Sequence, residues 1–580
     1  MYRTCIPFPD KFCFDSPETV YAPYGFLLHV YHIFSPENTY TFSTPCRKHG
    51  DFLNTNSSIH TLIKGTFILT IAGLVTRLIG FAYKIFLADV LGAYALGIYQ
   101  LVFPVYSVCF TIYGAGIQTA VSQLVGAQNA DDNVVFFRNG RRVLWMGVSI
   151  ALALAFALWF GLYLNADFIA IHLLSTPEAA PCLRILPVLF PFCAVSACIH
   201  GYYYGKKKAS IPAASQFIEQ IGRVTFVFLL AMYLGKKNIS LTCVYAVAGL
   251  VVGEICAFAF SMLSLSVEKI SWLRKSRRTS EKEPDVRATK HSHSKSYRNK
   301  LLRMAAPLTG TKLVTSLLAS AESILIPAML RKYGMSAGDA LSLYGILTGM
   351  SMSFILFPST ITNSLAVLLL PTVAEASVSG NGSRICKAVS TSVKYSLLIG
   401  LLATSLFMLF GNAFGNIFFH NKTAGEFMVI LSWLCPFMYL STTLGSIING
   451  LGKTLLTFRN TVIGISLRIL CICFFIPRTG ISGYLFGLLV SQLLIALLDY
   501  LVLKKCLQAP FDSSKWVAIP ALFLIISGFA IFQLYHFLVP LQLVPVYVLL
   551  FGCCILHCLA YIALLLISRI ISPADFTGKK

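Results

Sequence analysis

The chain has 580 residues, of which 56% are hydrophobic and 12% charged, with a mean hydropathy of +0.74. A soluble domain carries about 25% charged residues, so this composition excludes one and indicates an all-α polytopic membrane protein. The net charge of +23 does not indicate a nucleic-acid partner, because the cations collect in short segments between apolar runs, the pattern of cytoplasmic loops.

Residues 1–60 are rich in proline, aromatics and cysteine and hold no apolar run of spanning length. The stretch YGFLLHVYHIF (24–34) is too short to cross a bilayer and lacks a small-residue cleavage site. No methionine occurs between Met1 and Met146. The expectation is a natural start near Leu62 with 1–60 as over-extended translation, the alternative being a disordered tail.

Fourteen spans follow, at 62–88, 93–118, 142–163, 180–204, 210–234, 241–266, 301–330, 341–367, 389–412, 424–450, 454–476, 480–502, 516–538 and 545–570. Most reach the ~20 residues a bilayer helix needs. The grouping predicts an N-lobe at 61–267 (spans 1–6), a basic cytoplasmic linker at 268–300, a C-lobe at 301–503 (spans 7–12), and spans 13 and 14 with a tail at 504–580. The stretch ALGIY (95–99) opens span 2 and ALSLY (340–344) opens span 8, a faint sign of a parallel internal repeat.

Lysine and arginine set the orientation. Arg138, Arg141 and Arg142, Lys206–Lys208, and the basic stretch 269–303 follow even-numbered spans, which puts both termini in the cytoplasm of a multi-pass cell-membrane protein. Lys236 and Lys237 run against that rule.

Several ionisable residues fall within spans: Arg77 and Lys84 in span 1, Glu219 and Arg223 in span 5, Glu254 in span 6, Lys312 and Glu322 in span 7, and Arg468 in span 11. A cation at mid-membrane costs roughly 2.5–3.5 kcal/mol and faces a bundle interior or a watery cavity. Arg77 and Lys84 are seven residues apart, so a helix places them on nearly one face, about 10 Å apart along the axis. The five cations Arg77, Lys84, Arg223, Lys312 and Arg468 are candidate cavity cations. Glu219, Glu254 and Glu322 are candidate coupling or ion-pair acids. The plainer alternatives are a Glu219–Arg223 pair along one helix, a Lys84 that snorkels, and an Arg77 that bridges helices. Prolines 104, 187, 191, 307, 327, 358 and 436 are expected inside spans as kinks.

The 17 cysteines form no metal or disulfide pattern. Cys471 and Cys473, and Cys553, Cys554 and Cys558, sit inside predicted helices without a matching histidine or cysteine set. No metal and no cofactor is expected. The short outer loops, without an acid pair or a nucleophile–base set, argue against an enzyme.

Four stretches carry a family resemblance: LIKGTFILTIAGLVTRLIGFAYKIFLADVLGAYALGIYQLVFPVYSV (62–108), GYYYGKKKASIPAASQFIEQIGRV (201–224), LLLPTVAEA (368–376) and NGLGKTLLTFRNTVIG (449–464). Together they resemble the MOP exporter superfamily, in particular polysaccharide-export proteins of the stage V sporulation protein B type and the lipid II flippases. The resemblance covers about 62–570. It implies two six-helix lobes in a pseudo-two-fold arrangement around a central cavity, with two further C-terminal helices and alternating access. It also implies transport of a polyprenyl-pyrophosphate-linked saccharide, a cell-wall, spore-cortex or polysaccharide precursor, across the cytoplasmic membrane. The implied partners are that lipid-linked substrate, the bilayer and cell-wall synthesis enzymes, with a monomer as the unit. Thr76-Arg77 matches a span-1 arginine that lies in the flippase cavity, whereas the flippases' span-2 arginines have no match in QLVFPVYSVCFTIYG (100–114), which sets lipid II itself apart. The rival readings are a multidrug cation antiporter of the same superfamily, a membrane glycosyl polymerase or ligase, and a non-transporting scaffold of wall synthesis.

Overall fold

The computed structural model describes residues 55–127, 133–239, 241–278, 292–364, 382–506, 514–542 and 544–571. The expectations for residues 1–54, for 279–291 of the linker, and for the stretch at 368–376 lie outside the described residues. Every regular element among the described residues is helical. Residues Ile59–Lys580 form one compact unit.

Thirteen helical stretches are long and apolar enough to cross a bilayer, against fourteen expected crossings. The difference lies in the first stretch, Gly73–Gly126, which runs for 54 residues. At 1.5 Å per residue it is about 80 Å long, more than twice the ~30 Å hydrocarbon core. Its helix α1 (Thr55–Phe110) is broken at Gly92, whose φ of 71° and ψ of 174° are not helical. A Cβ at Gly92 would meet nothing within 4 Å, so the backbone conformation and not space requires glycine there.

A π-turn, Thr111–Ala115, leads from α1 into α2 (Gly116–Gly126). The first lobe continues with α3 (Asn133–Leu164), α4 (Phe190–Gly205), α5 (Ser210–Gly235) and α6 (Cys243–Arg278). The second lobe holds α7 (Ser292–Lys332), α8 (Ala337–Gly345), α9 (Gly382–Phe419), α10 (Lys422–Leu431), α11 (Cys435–Gly450), α12 (Thr454–Thr479) and α13 (Ile481–Cys506). The final pair, α14 (Ile519–Leu538) and α15 (Val546–Ile567), packs on α9. His557 of α15 is fully buried there, its ring nitrogens 2.9 Å from Ser405 Oγ on α9 and 3.4 Å from Ser527 Oγ on α14.

The internal repeat is far clearer in the backbone than in the side chains. Helices α4 and α11 each have 16 residues and begin 245 positions apart, with Pro191 and Pro436 in their first turns. They end in the same turn: the amides of 206, 207 and 208 donate to the carbonyls of 202, 204 and 203, and those of 451, 452 and 453 donate to 447, 449 and 448. Lys207 (φ 58°) and Gly452 (φ 76°) share the left-handed position of that turn. The two copies of the short sequence repeat meet face to face. A Cβ on Gly97 would overlap the carbonyl oxygen of Leu341, and one on Gly345 that of Ala93, so α1 and α8 pack backbone to backbone.

The prolines divide. Pro104, Pro307 and Pro327 lie inside helices. Pro187, Pro191 and Pro436 occupy first turns, where a missing N–H costs nothing, and Pro358 sits in the break after Met352–Leu356. These four punctuate helices and do not kink them.

Candidate functional site

A cavity of about 550 Å³ opens between the two lobes. One wall is a single face of α1. Thr76, Arg77, Gly80, Phe81, Tyr83, Lys84 and Leu87 line it at three- and four-residue spacing. Past the Gly92 break the chain returns, and Tyr99, Gln100 and Phe103 join the lining. Gln220 and Arg223 enter from α5. The second lobe supplies the run from Ser353 to Asn363, including Phe357, Ser359 and Thr360. The ring of Phe81 stacks on Phe357 at 4.8 Å and meets Phe354 edge-on at 4.6 Å, joining α1 to the second lobe on that side.

The cavity therefore gathers three of the five expected cations: Arg77, Lys84 and Arg223. Arg77 is exposed and Lys84 half-buried, and neither has a hydrogen-bond or ion-pair partner among the described residues. Arg223 lies close enough to Lys84 to repel it. Its guanidinium pairs with Glu219 one turn earlier on the same helix, which cancels one charge and leaves the other two cations uncompensated. Three buried polar atoms of this wall have no partner among the described residues: Tyr83 Oη, Gln220 Oε1 and Arg223 Nε.

Lys312 and Arg468 are not among the residues lining the cavity. The Lys312 ammonium donates to the Ala115 carbonyl at 2.9 Å and to Thr119 Oγ1 at 3.0 Å, fastening α7 to the π-turn and α2. Arg468 donates from Nη1 to both oxygens of Glu322, at 3.1 and 3.2 Å, and from Nε to Ser491 Oγ at 2.8 Å. Tyr484 Oη adds a fourth bond, to Glu322 Oε1 at 3.1 Å. The Arg468 and Glu322 side chains are 13% and 11% exposed, so this is a closed ionic knot among α7, α12 and α13. Glu254 stands on α6 beside Ser196 and Cys193 of α4, within electrostatic reach of Glu219 and Arg223.

The amide and hydroxyl lining escaped the sequence reading. Gln100, Gln220 and Ser353 line the cavity as scattered uncharged polar residues, while Ser359, Thr360 and Asn363 belong to the polar run PSTITNS (358–364), a signal that a reading confined to charges passes over. Charge stands out in a membrane sequence, and amides do not.

Residues 62–377 match the family described as polysaccharide biosynthesis protein. Stage V sporulation protein B of Bacillus subtilis (strain 168) is 25% identical over 474 residues, covering 81% of this chain and 88% of the relative. Among solved structures, the fold is similar to the lipid II flippase MurJ in an inward closed conformation, with a TM-score of 0.63 at 13% identity, covering 87% of this chain and 99% of that one. It is also similar to an inward-facing multidrug resistance MATE family transporter of the MOP superfamily, with a TM-score of 0.55 at 13% identity over 76% of this chain and 98% of that one.

Proposed function

The chain belongs to the polysaccharide biosynthesis protein family, within the MOP transporter superfamily, and from that premise we propose that it moves a polyprenyl-pyrophosphate-linked saccharide across the cytoplasmic membrane by alternating access. The observation that carries this reading is the cationic face of α1. Arg77 and Lys84 point one uncompensated charge each into a cavity between the lobes. A pyrophosphate is the polyanion such a face suits. Arg77 offers it a planar two-pronged donor, and Lys84 a point charge. The amides and hydroxyls opposite suit sugar hydroxyls, while the polyprenyl tail stays in lipid. The volume falls in the ordinary range of small-ligand sites, roughly 300–1,000 Å³, enough for a head group.

In this proposal the moving bodies are 61–267 and 301–503, joined by the basic linker 268–300, with 504–580 carrying the last two helices. Both termini are cytoplasmic, the working unit is a monomer, and no catalytic step is assigned. A cationic drug is poorly served by this cavity, because no acid, Glu254 included, is among its described lining residues, and Glu219 is paired with Arg223 and Glu322 with Arg468.

The test is flipping of a fluorescent lipid-linked sugar in liposomes. Arg77→Ala removes a two-pronged charge-assisted contact, about 3 kcal/mol, or roughly a 100-fold loss of rate. Insertion and detergent gel filtration should be unchanged, since removing a cation eases membrane partitioning. Arg77→Lys should recover part of the rate. Parent-rate flipping by Arg77→Ala would sink the pyrophosphate reading.

A further inference from the structure

Two cysteines far apart in sequence meet at one end of the first lobe. Cys182 lies in the short helix Ala180–Ile185, and Cys243 is the first residue of α6. Their sulfurs are 3.0 Å apart, and both side chains are buried, at 0% and 6% exposure. Among the described residues no other pair of thiols is in such contact. The short helix packs on the start of α6 and is held from its other side, where Arg184 donates to Asp167 at 2.6 Å. A disulfide needs its sulfurs about 2.05 Å apart, so about 1 Å of approach separates this pair from a bond.

We propose that Cys182 and Cys243 form a disulfide on the outer face of the membrane. The inference rests on the orientation in the proposed function, in which the segment before α4 and the start of α6 both lie outside, where thiols oxidise. Each thiol gives up its proton, and together they give two electrons to an incoming disulfide, which leaves as two thiols while the Cys182–Cys243 bond forms. Burial of both sulfurs places this exchange during insertion, before the helices close over the pair, and afterwards shields the bond from reductants. The bridge would close the chain from 182 to 243, joining the outer segment before α4 to the loop between α5 and α6. It would harden one end of the first lobe without crossing to the second, so lobe motion stays free.

The experiment is thiol trapping of the full chain in intact cells. Cells are quenched in acid, free thiols are blocked with a maleimide in neutral denaturant, the protein is reduced, and the newly released thiols are tagged and located by peptide mass mapping. The expected result is tags on Cys182 and Cys243 and on no other cysteine pair. Cys182→Ser and Cys243→Ser should each lower the melting temperature, and the double variant should lower it no further than either single one, because one bond is lost in all three. Reductant should bring the parent to the same value. Blocking of both thiols before reduction would overturn the proposal. Labelling of Ala166→Cys by an impermeant maleimide from outside then identifies the cause. If it labels, the bridge fails while the orientation stands. If only Lys300→Cys labels from outside, the orientation is inverted and the flippase topology falls with it.

Discussion

Arg223 and Arg468 stand 245 positions apart, the spacing that relates the two lobes, yet they are bonded in opposite ways. Arg468 is held by other helices: Glu322 from α7 and Ser491 from α13 accept three hydrogen bonds from its Nη1 and Nε, and Tyr484 braces the carboxylate. Arg223 is held by its own helix, through Glu219 one turn away, and its Nε has no partner among the described residues. The first arrangement ties three helices together. The second ties α5 only to itself and leaves α1 facing it with two further cations. At these two related positions the second lobe uses its arginine for cohesion and the first keeps charge inside the cavity, although the first lobe has an ionic tie of its own between Lys206 and Glu268 at 2.9 Å. In a bilayer, where helices gain little from the hydrophobic effect on packing together, such ties add to the packing that holds helices to one another.

The largest effect that would break this contrast is on the knot. Glu322→Gln or Arg468→Met leaves one buried charge without its partner, which costs about 3–5 kcal/mol in protein interiors. The expected outcome is loss of the monodisperse peak in detergent gel filtration. Replacing both, as Glu322→Leu with Arg468→Met, should restore much of it, since the uncompensated charge is gone. If Glu322→Gln alone is as stable as the parent but dead in transport, the knot belongs to the transport cycle and the contrast dissolves.

Lys84→Ala comes next. Lys84 offers one charge-assisted contact and no fork, about 1.5 kcal/mol, so flipping should fall roughly tenfold, less than for Arg77→Ala. Folding should not suffer, because Lys84 has no partner among the described residues to orphan. An unchanged rate would mark Lys84 as a snorkelling residue and leave Arg77 and Arg223 as the cationic pair of the cavity.

Glu219→Gln sharpens the comparison from the other side. Arg223 left without its acid still faces the cavity, unlike Arg468 sealed among three helices, so the drop in melting temperature should be smaller than that for Glu322→Gln. It also frees a third uncompensated cation in the cavity. Tighter binding of the lipid-linked sugar, with slower release, is the expected signature, read as a lower half-saturation concentration together with a lower maximal rate. A stability loss equal to that of Glu322→Gln would show that the two arginines do the same structural work.

Much of this was legible in the sequence, and the illegible part has physical causes. Span positions follow from hydropathy, and the shared face of Arg77 and Lys84 follows from helical period alone, so both appear where expected. The break between the first two spans was legible, since Asp89 and Gly92 interrupt the apolar run between 88 and 93 and the non-helical residue is Gly92; that a single kinked glycine and no loop separates the two helices was not. The 245-residue repeat shows faintly as ALGIY and ALSLY. In the turns at 206–208 and 451–453 only the last lysine is shared, while the backbone bonds are the same. Which face of α7 meets which neighbour is a tertiary fact, so Lys312 and Arg468 look like Arg77 in one dimension and differ from it only in their partners.

Lys312 carries the smallest and most discriminating prediction. Its ammonium and Thr119 Oγ1 both donate to the Ala115 carbonyl, at 2.9 Å each, at the end of the π-turn that joins α1 to α2. The helices are close here: a Cβ on Gly116 would overlap the Thr309 side chain of α7. Lys312 is therefore one of several ties between α7 and the first lobe, alongside Ser316 to Thr111 at 2.9 Å and Ser320 to the Pro104 carbonyl at 3.0 Å. Interhelical hydrogen bonds in membranes average ~0.6 kcal/mol, with a maximum of ~1.7. Lys312→Met keeps the aliphatic length, removes the donors, and should shift the melting temperature slightly while flipping continues at nearly the parent rate. Loss of flipping at an unchanged melting temperature would return Lys312 to the substrate path and extend the cationic face from α1 onto α7. That outcome would put a cavity cation in each lobe.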